Sequence, residues 1–117
     1  MNDDPHVAFF CDMTAIPAAS RQLHMDTTKE VFGAVQAVRE LPNGYAFQVP
    51  NGLLIKTAAF IDNERRCCPF LSFTVEVEPA GGPIWLRLTG HDGVKPFIRA
   101  EIGDALNESV AQAANFR

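Results

Sequence analysis

Glu64-Arg65-Arg66-Cys67-Cys68-Pro69-Phe70-Leu71-Ser72-Phe73-Thr74-Val75-Glu76-Val77-Glu78 changes its hydrophobic period halfway along. Upstream of Pro69 the apolar residues recur at helical spacing. Leu54, Ile61 and Cys68 lie seven apart, with Ile55 and Ala58 beside them, so residues 53–68 read as a helix with this stripe facing inward. Proline lacks an amide hydrogen and restricts the residue before it, so the helix stops there. Downstream, Leu71, Phe73, Val75 and Val77 alternate with Ser72, Thr74, Glu76 and Glu78, a strand with one buried and one polar face. Two adjacent thiols are thereby placed in the last turn of a helix, at a helix-to-strand corner.

Working outward, Pro79-Ala80-Gly81-Gly82-Pro83 turns the chain into a second strand, with Ile84, Leu86 and Leu88 inward and Trp85, Arg87 and Thr89 outward. Arg87 is positioned to pair across the strands with Glu76 or Glu78. Gly90-His91-Asp92-Gly93 forms a turn, with Asp92 as N-cap of a last helix carrying Val94, Phe97, Ile98, Ile102, Ala105, Leu106 and Val110 on one face and Gly103 as its weak point. In the other direction, residues 35–41 and 45–49 read as strands joined by Pro42-Asn43-Gly44, a strong hairpin signal. Residues 35–67 and 71–110 thus share the order strand, turn, strand, helix. Before them, Thr14 as N-cap and Pro17 in the first turn open an amphipathic helix running to about Phe32, its inner positions Ala19, Leu23, Thr27, Val31 and Val35. His6 to Cys11 is a short apolar segment, read as an edge strand, and residues 1–5 as a loose tail.

The fold class is therefore α+β. An antiparallel sheet of about four strands carries helices on one face, in the order ββα-ββα after an N-terminal helix. At 117 residues this is one domain, spanning residues 1–117. The formal charge of −4 argues against nucleic acid or an anionic membrane as main partner. No apolar run approaches transmembrane length and the amino terminus is acidic. Three cysteines, two of them adjacent, are no secreted disulfide framework, so the expectation is a cytoplasmic protein with reduced thiols.

Those thiols carry the functional reading. A disulfide between sequence neighbours would close a small, strained ring, so Cys67 and Cys68 are expected to stay a dithiol. Paired thiolates suit soft ions: Hg(II), As(III), Cu(I) or Zn(II). Arg65 and Arg66 would lower their pKa values, while a helix C-terminus raises them. Glu64 sits at i−3 from Cys67 and i−4 from Cys68, facing either sulfur as proton donor, hard ligand, or partner of an arginine. The plainer reading makes Cys68 core filler on the helix stripe. Cys67, about 100° around the helix, is then the accessible thiol. Whether Cys11 joins them is a matter of spatial distance.

The segment Glu64 to Phe70, together with Gly82-Pro83-Ile84-Trp85-Leu86-Arg87-Leu88-Thr89-Gly90, the upstream Cys11 and the Val38 to Tyr45 hairpin, resembles a set of small bacterial proteins associated with mercury- and other metal-resistance regulators. The resemblance covers most of the chain and implies that the thiols matter, without naming a reaction. Where that set commonly has Pro-Glu, this chain has His91-Asp92.

Three functions follow. The first is a soft metal or metalloid site on Cys67, Cys68 and Cys11 with Glu64 nearby. The second is thiol catalysis with Cys67 and Glu64 as candidate catalytic groups, either redox, with Cys11 pairing to Cys67, or like organomercurial lyase, whose constellation two cysteines and a carboxylate resemble. The latter needs a partly buried carboxyl with a raised pKa. The third is a module without chemistry that forms a homodimer or binds a partner through its open sheet face, where Trp85 marks a contact or ligand shelf. His6, His24 and His91 are scattered and read as surface residues.

Overall fold

The computed structural model describes residues 9–116, and His6 and the first residues of the expected edge strand lie outside them. Phe9 to Asp12 run without helix or strand into a short 3-10 turn, Met13–Ala15, capped by Asp12, whose side chain accepts the Thr14 amide. The cap expected of Thr14 on the long first helix is not made: Asp12 caps only this turn, and that helix starts after Pro17 without a side-chain cap. Helix α1 (Ala18–Gly33) follows, then strands β1 (Ala37–Leu41) and β2 (Gly44–Val49), helix α2 (Leu54–Cys67), strands β3 (Ser72–Val77) and β4 (Ile84–Thr89), and helices α3 (Val94–Ile102) and α4 (Glu108–Ala113).

The two hairpins join through β2 and β4 into one antiparallel sheet ordered β1-β2-β4-β3, as expected of the repeated strand-strand-helix order. Register explains the core. Tyr45, Phe47 and Val49 stand opposite Leu88, Leu86 and Ile84, and all six are buried beneath the helices. Gly44 faces Thr89 at the start of β2, where a Cβ would collide with the Leu88 carbonyl oxygen, so the hairpin requires glycine there. Phe32 of α1 sits edge-on to Phe47 at 5.1 Å and to Phe60 of α2 at 5.0 Å, fastening both helices to the sheet and to each other.

The buried stripes of α1 and α2 differ from those expected. In α2 they are Thr57, Phe60, Glu64 and Cys67, while Leu54 and Ile55 are exposed, the latter by 79%. Phe60 is fully buried with ring contacts to Phe32 and Phe73, and the helix is turned to place it inward. In α1 the buried residues are His24, Val31 and Phe32, and Leu23 points to solvent. Trp85 does lie on the face away from Ile84 and Leu86, but it is not an open shelf. Arg39 covers its ring at 4.3 Å and its Nε1–H donates to Glu78 at 2.8 Å, leaving it 5% exposed. Arg87 pairs with Glu76 at 3.1 Å, as expected. On the helix side of the edge strand β3, Val75 and Val77 stay exposed because no helix extends over them.

The single last helix expected over residues 94–110 is two. α3 ends in a 3-10 turn, Gly103–Ala105; Leu106 is extended, and Asn107 caps α4 through the Ser109 amide. Gly93, at φ 92°, precedes α3 in place of a side-chain cap from Asp92. The break returns the chain so that Phe116 is buried against Tyr45 and Phe47.

Candidate functional site

Four segments meet at the end of α2. Rotation of its buried stripe turns Glu64 and Cys67 inward together, three residues apart and on one face. Pro69 terminates the helix at Cys68, whose amide still donates to the Glu64 carbonyl and whose side chain is fully buried. The segment before α1 lies across this corner. The Asp12 amide donates to the Cys67 carbonyl at 2.9 Å, Phe9 stacks edge-on against Phe70 at 5.3 Å, and Ile16 is buried in the core. Arg21 of α1 holds the same segment by donating from Nε to the carbonyls of Met13 and Ile16. These contacts bring Cys11 onto the adjacent thiols.

Cys11 is bonded to Cys68, with Cα atoms 4.9 Å apart and a sequence separation of 57. This corrects the expectation of three reduced thiols, and of Cys11 as partner of Cys67. The adjacent pair is unbonded, as ring strain requires, with its sulfurs 3.7 Å apart. Cys67 is the free cysteine, yet it is 1% exposed and so not the accessible thiol expected. The half-buried cysteine is Cys11.

Glu64 organises the interior. Only 2% exposed, it pairs with His24 Nε2 through Oε1 at 2.9 Å, not with Arg65 or Arg66; Arg66 turns out to Asp62. Its Oε2 lies 3.4 Å from Cys68 Sγ, and Cys67 Sγ is 3.6 Å from Oε1. His24 stacks on Phe60 and is itself buried, against the expectation of a surface histidine. Glu101, on α3, places Oε2 3.2 Å from Cys11 Sγ. Each sulfur of the disulfide thus has its own carboxylate.

The charges follow from this crowding. Burial, then the charge of Glu64 and its hydrogen bond, push the Cys67 thiol up to about 12. Glu101 is exposed as a whole residue, but its carboxyl head is withdrawn against Cys11 and Glu64. Burial, and next the Glu64 charge, raise it to about 7, with His24 opposing. Beside them opens a cavity of about 240 Å³ lined by His24, Glu64 and Glu101 with Met13, Met25 and Ala105. One ligand atom each from Cys11, Glu64, Cys67 and Cys68 lies within 4.8 Å of the others.

His24 and Glu101 are absent from the site residues expected. His24 was legible: it precedes Val31 by seven, so a stripe drawn through 24, 27, 31 and 35 makes it a core position. Glu101 carries no such signal, since only the packing of α3 brings it to Cys11. His91 is exposed in its turn, away from this cluster.

Comparison with protein-family models, curated proteins and solved structures gives no match, so the functional reading rests on this geometry.

Proposed function

We propose that the chain, with its cysteines reduced, binds one soft metal or metalloid ion through Cys11, Cys67 and Cys68, with Glu64 as the adjacent hard donor. The observation that carries this reading is the convergence of these four groups within 4.8 Å. An ion holding sulfur at about 2.3 Å and carboxylate oxygen at about 2.0–2.2 Å has tetrahedral edges of roughly 3.8 Å between sulfurs and 3.5 Å between sulfur and oxygen. Cys67 and Cys68 are 3.7 Å apart, close to a sulfur–sulfur edge, and each lies beside a different oxygen of Glu64, Cys67 at 3.6 Å from Oε1 and Cys68 at 3.4 Å from Oε2, so the carboxylate need only turn to offer one oxygen to both. A majority of thiolates selects Hg(II), As(III), Cu(I) or Zn(II) over Mg(II) or Ca(II).

The chemistry of the donors supports binding over turnover. Cys67 is buried and its thiol is pushed up to about 12, which argues against its acting as a thiolate nucleophile; a bound ion would have to displace that proton. Glu64 is engaged by His24, which fixes its orientation as outer partners fix metal ligands. The test is stoichiometric. After reduction and removal of reductant, one equivalent of Hg(II) or arsenite should bind per chain and protect all three cysteines from alkylation. Changing Cys67 or Cys68 singly to Ser should abolish retention through desalting. Protection of Cys11 alone, or an unchanged affinity in both variants, would remove the proposal.

A further inference from the structure

We infer that the Cys11–Cys68 bond is an exchangeable gate on this site, opened by an external dithiol that attacks Cys11. The inference rests on the proposed binding of a soft ion and names what controls it. Two of the three sulfurs are consumed by the bond, so the oxidised chain offers an ion one thiol, Cys67, beside hard donors.

The two ends of the bond differ in access. Cys68 is fully buried at the end of α2, whereas Cys11 is half-buried in a segment without helix or strand, next to Phe10, which is 65% exposed. An incoming thiolate therefore meets Cys11. Its sulfur forms a bond to Cys11 Sγ as the Cys11–Cys68 bond breaks, and the electron pair leaves on Cys68. That thiolate is born 3.7 Å from Cys67 Sγ, whose S–H can donate to it. The second thiol of the dithiol then attacks its own sulfur in the mixed disulfide and releases Cys11. The dithiol loses two electrons and two protons and becomes a disulfide; Cys11 and Cys68 gain both and become thiols. Oxidation of the pair by a disulfide reverses each step and closes the site.

Opening need not release Cys11 from the corner. The Asp12 amide remains on the Cys67 carbonyl, Ile16 stays in the core, and Arg21 still clasps the Met13 and Ile16 carbonyls. None of these contacts involves sulfur. Reduction thus leaves three thiols already assembled, where a disulfide serving stability alone would free a tethered end.

The test uses the full chain, air-oxidised and purified. It is treated under native conditions with dithiothreitol, desalted, and divided between alkylation with mass spectrometry and arsenite binding. Circular dichroism follows the fold. The expected result is a folded chain gaining two alkylatable cysteines, Cys11 and Cys68, and passing from no bound arsenite to one per chain. A bond that resists dithiothreitol until the chain unfolds overturns the exchange, whatever the ion does. Equal arsenite binding by oxidised and reduced chains overturns the gate and leaves the exchange standing. Opening of the bond with no binding by either form overturns the binding reading, and the gate with it. The C11S variant adds an independent arm: without a bond to open, its arsenite binding should be weaker than that of the reduced chain and unchanged by dithiothreitol. A dithiothreitol response in C11S contradicts the gate.

Discussion

Glu64 is the residue on which most of the site's interactions converge, holding His24 on one oxygen and lying against Cys67 and Cys68. Removing one member of a buried hydrogen-bonded pair leaves the other unsatisfied, which costs about 1–3 kcal/mol. Glu64→Ala should lose stability on that scale in chemical denaturation, and Glu64→Gln, which keeps a group for His24, should lose clearly less. Equal losses would show that the carboxylate charge, which neither variant keeps, is what the site needs. Glu101 makes a second prediction at this scale. Its carboxyl is raised to about 7 in the fold, above its ordinary value, so the folded chain holds this proton more tightly than the unfolded one. The stabilising contribution is present at low pH and is lost as pH rises through about 7. Discounted for the residue's exposure, the effect is about 1 kcal/mol. Glu101→Gln should therefore be more stable than the parent at pH 8 by that amount and level with it at pH 4, as read from paired denaturation curves.

At the scale of elements, α2 decides where the site is, and its orientation is testable by substitution. Phe60 is fully buried among Phe32, His24 and Phe73, whereas Ile55 is 79% exposed. Phe60→Ala should cost about 3–5 kcal/mol and Ile55→Ser within about 0.5 kcal/mol. The reverse ranking would restore the stripe through Leu54, Ile55 and Ile61 that the apolar residues alone suggest. The error has a physical source. A periodicity reading counts Leu, Ile and Ala and passes over Thr57 and Glu64, yet those are the polar residues this helix buries. β4 was legible because Ile84, Leu86 and Leu88 alternate along it, a pattern that one slipped residue would invert, and they pair in register with Val49, Phe47 and Tyr45 of β2. Trp85 obeyed the alternation too, but its cover by Arg39 comes from the neighbouring hairpin and Glu78, and no local pattern encodes it. The three cysteines were legible as candidates; which of them bond was not, because Cys11 reaches Cys68 only through the docking of Ile16 and Phe9.

At the scale of the whole molecule, one covalent link fastens the segment before α1 to the far end of α2. A cross-link closing a loop of 57 residues restricts the unfolded chain by about 4 kcal/mol at 25 °C in the chain-entropy picture. Reduction should lower unfolding stability by up to that amount while the hydrophobic core, in which Cys68 stays buried and against which Cys11 packs, keeps the fold. A soft ion bound at a hundred times its dissociation constant would return about 2.7 kcal/mol to the reduced chain, so the midpoint should move down on reduction and up again with arsenite. Among the described residues no helix is long and apolar enough to cross a membrane. If three sulfurs from two distant segments hold one ion, X-ray absorption on the reduced, arsenite-loaded chain counts them directly. Three sulfur neighbours at the arsenic edge, falling to two in C11S, is the predicted result. A first shell made of oxygen alone, or one that C11S leaves unchanged, would contradict it.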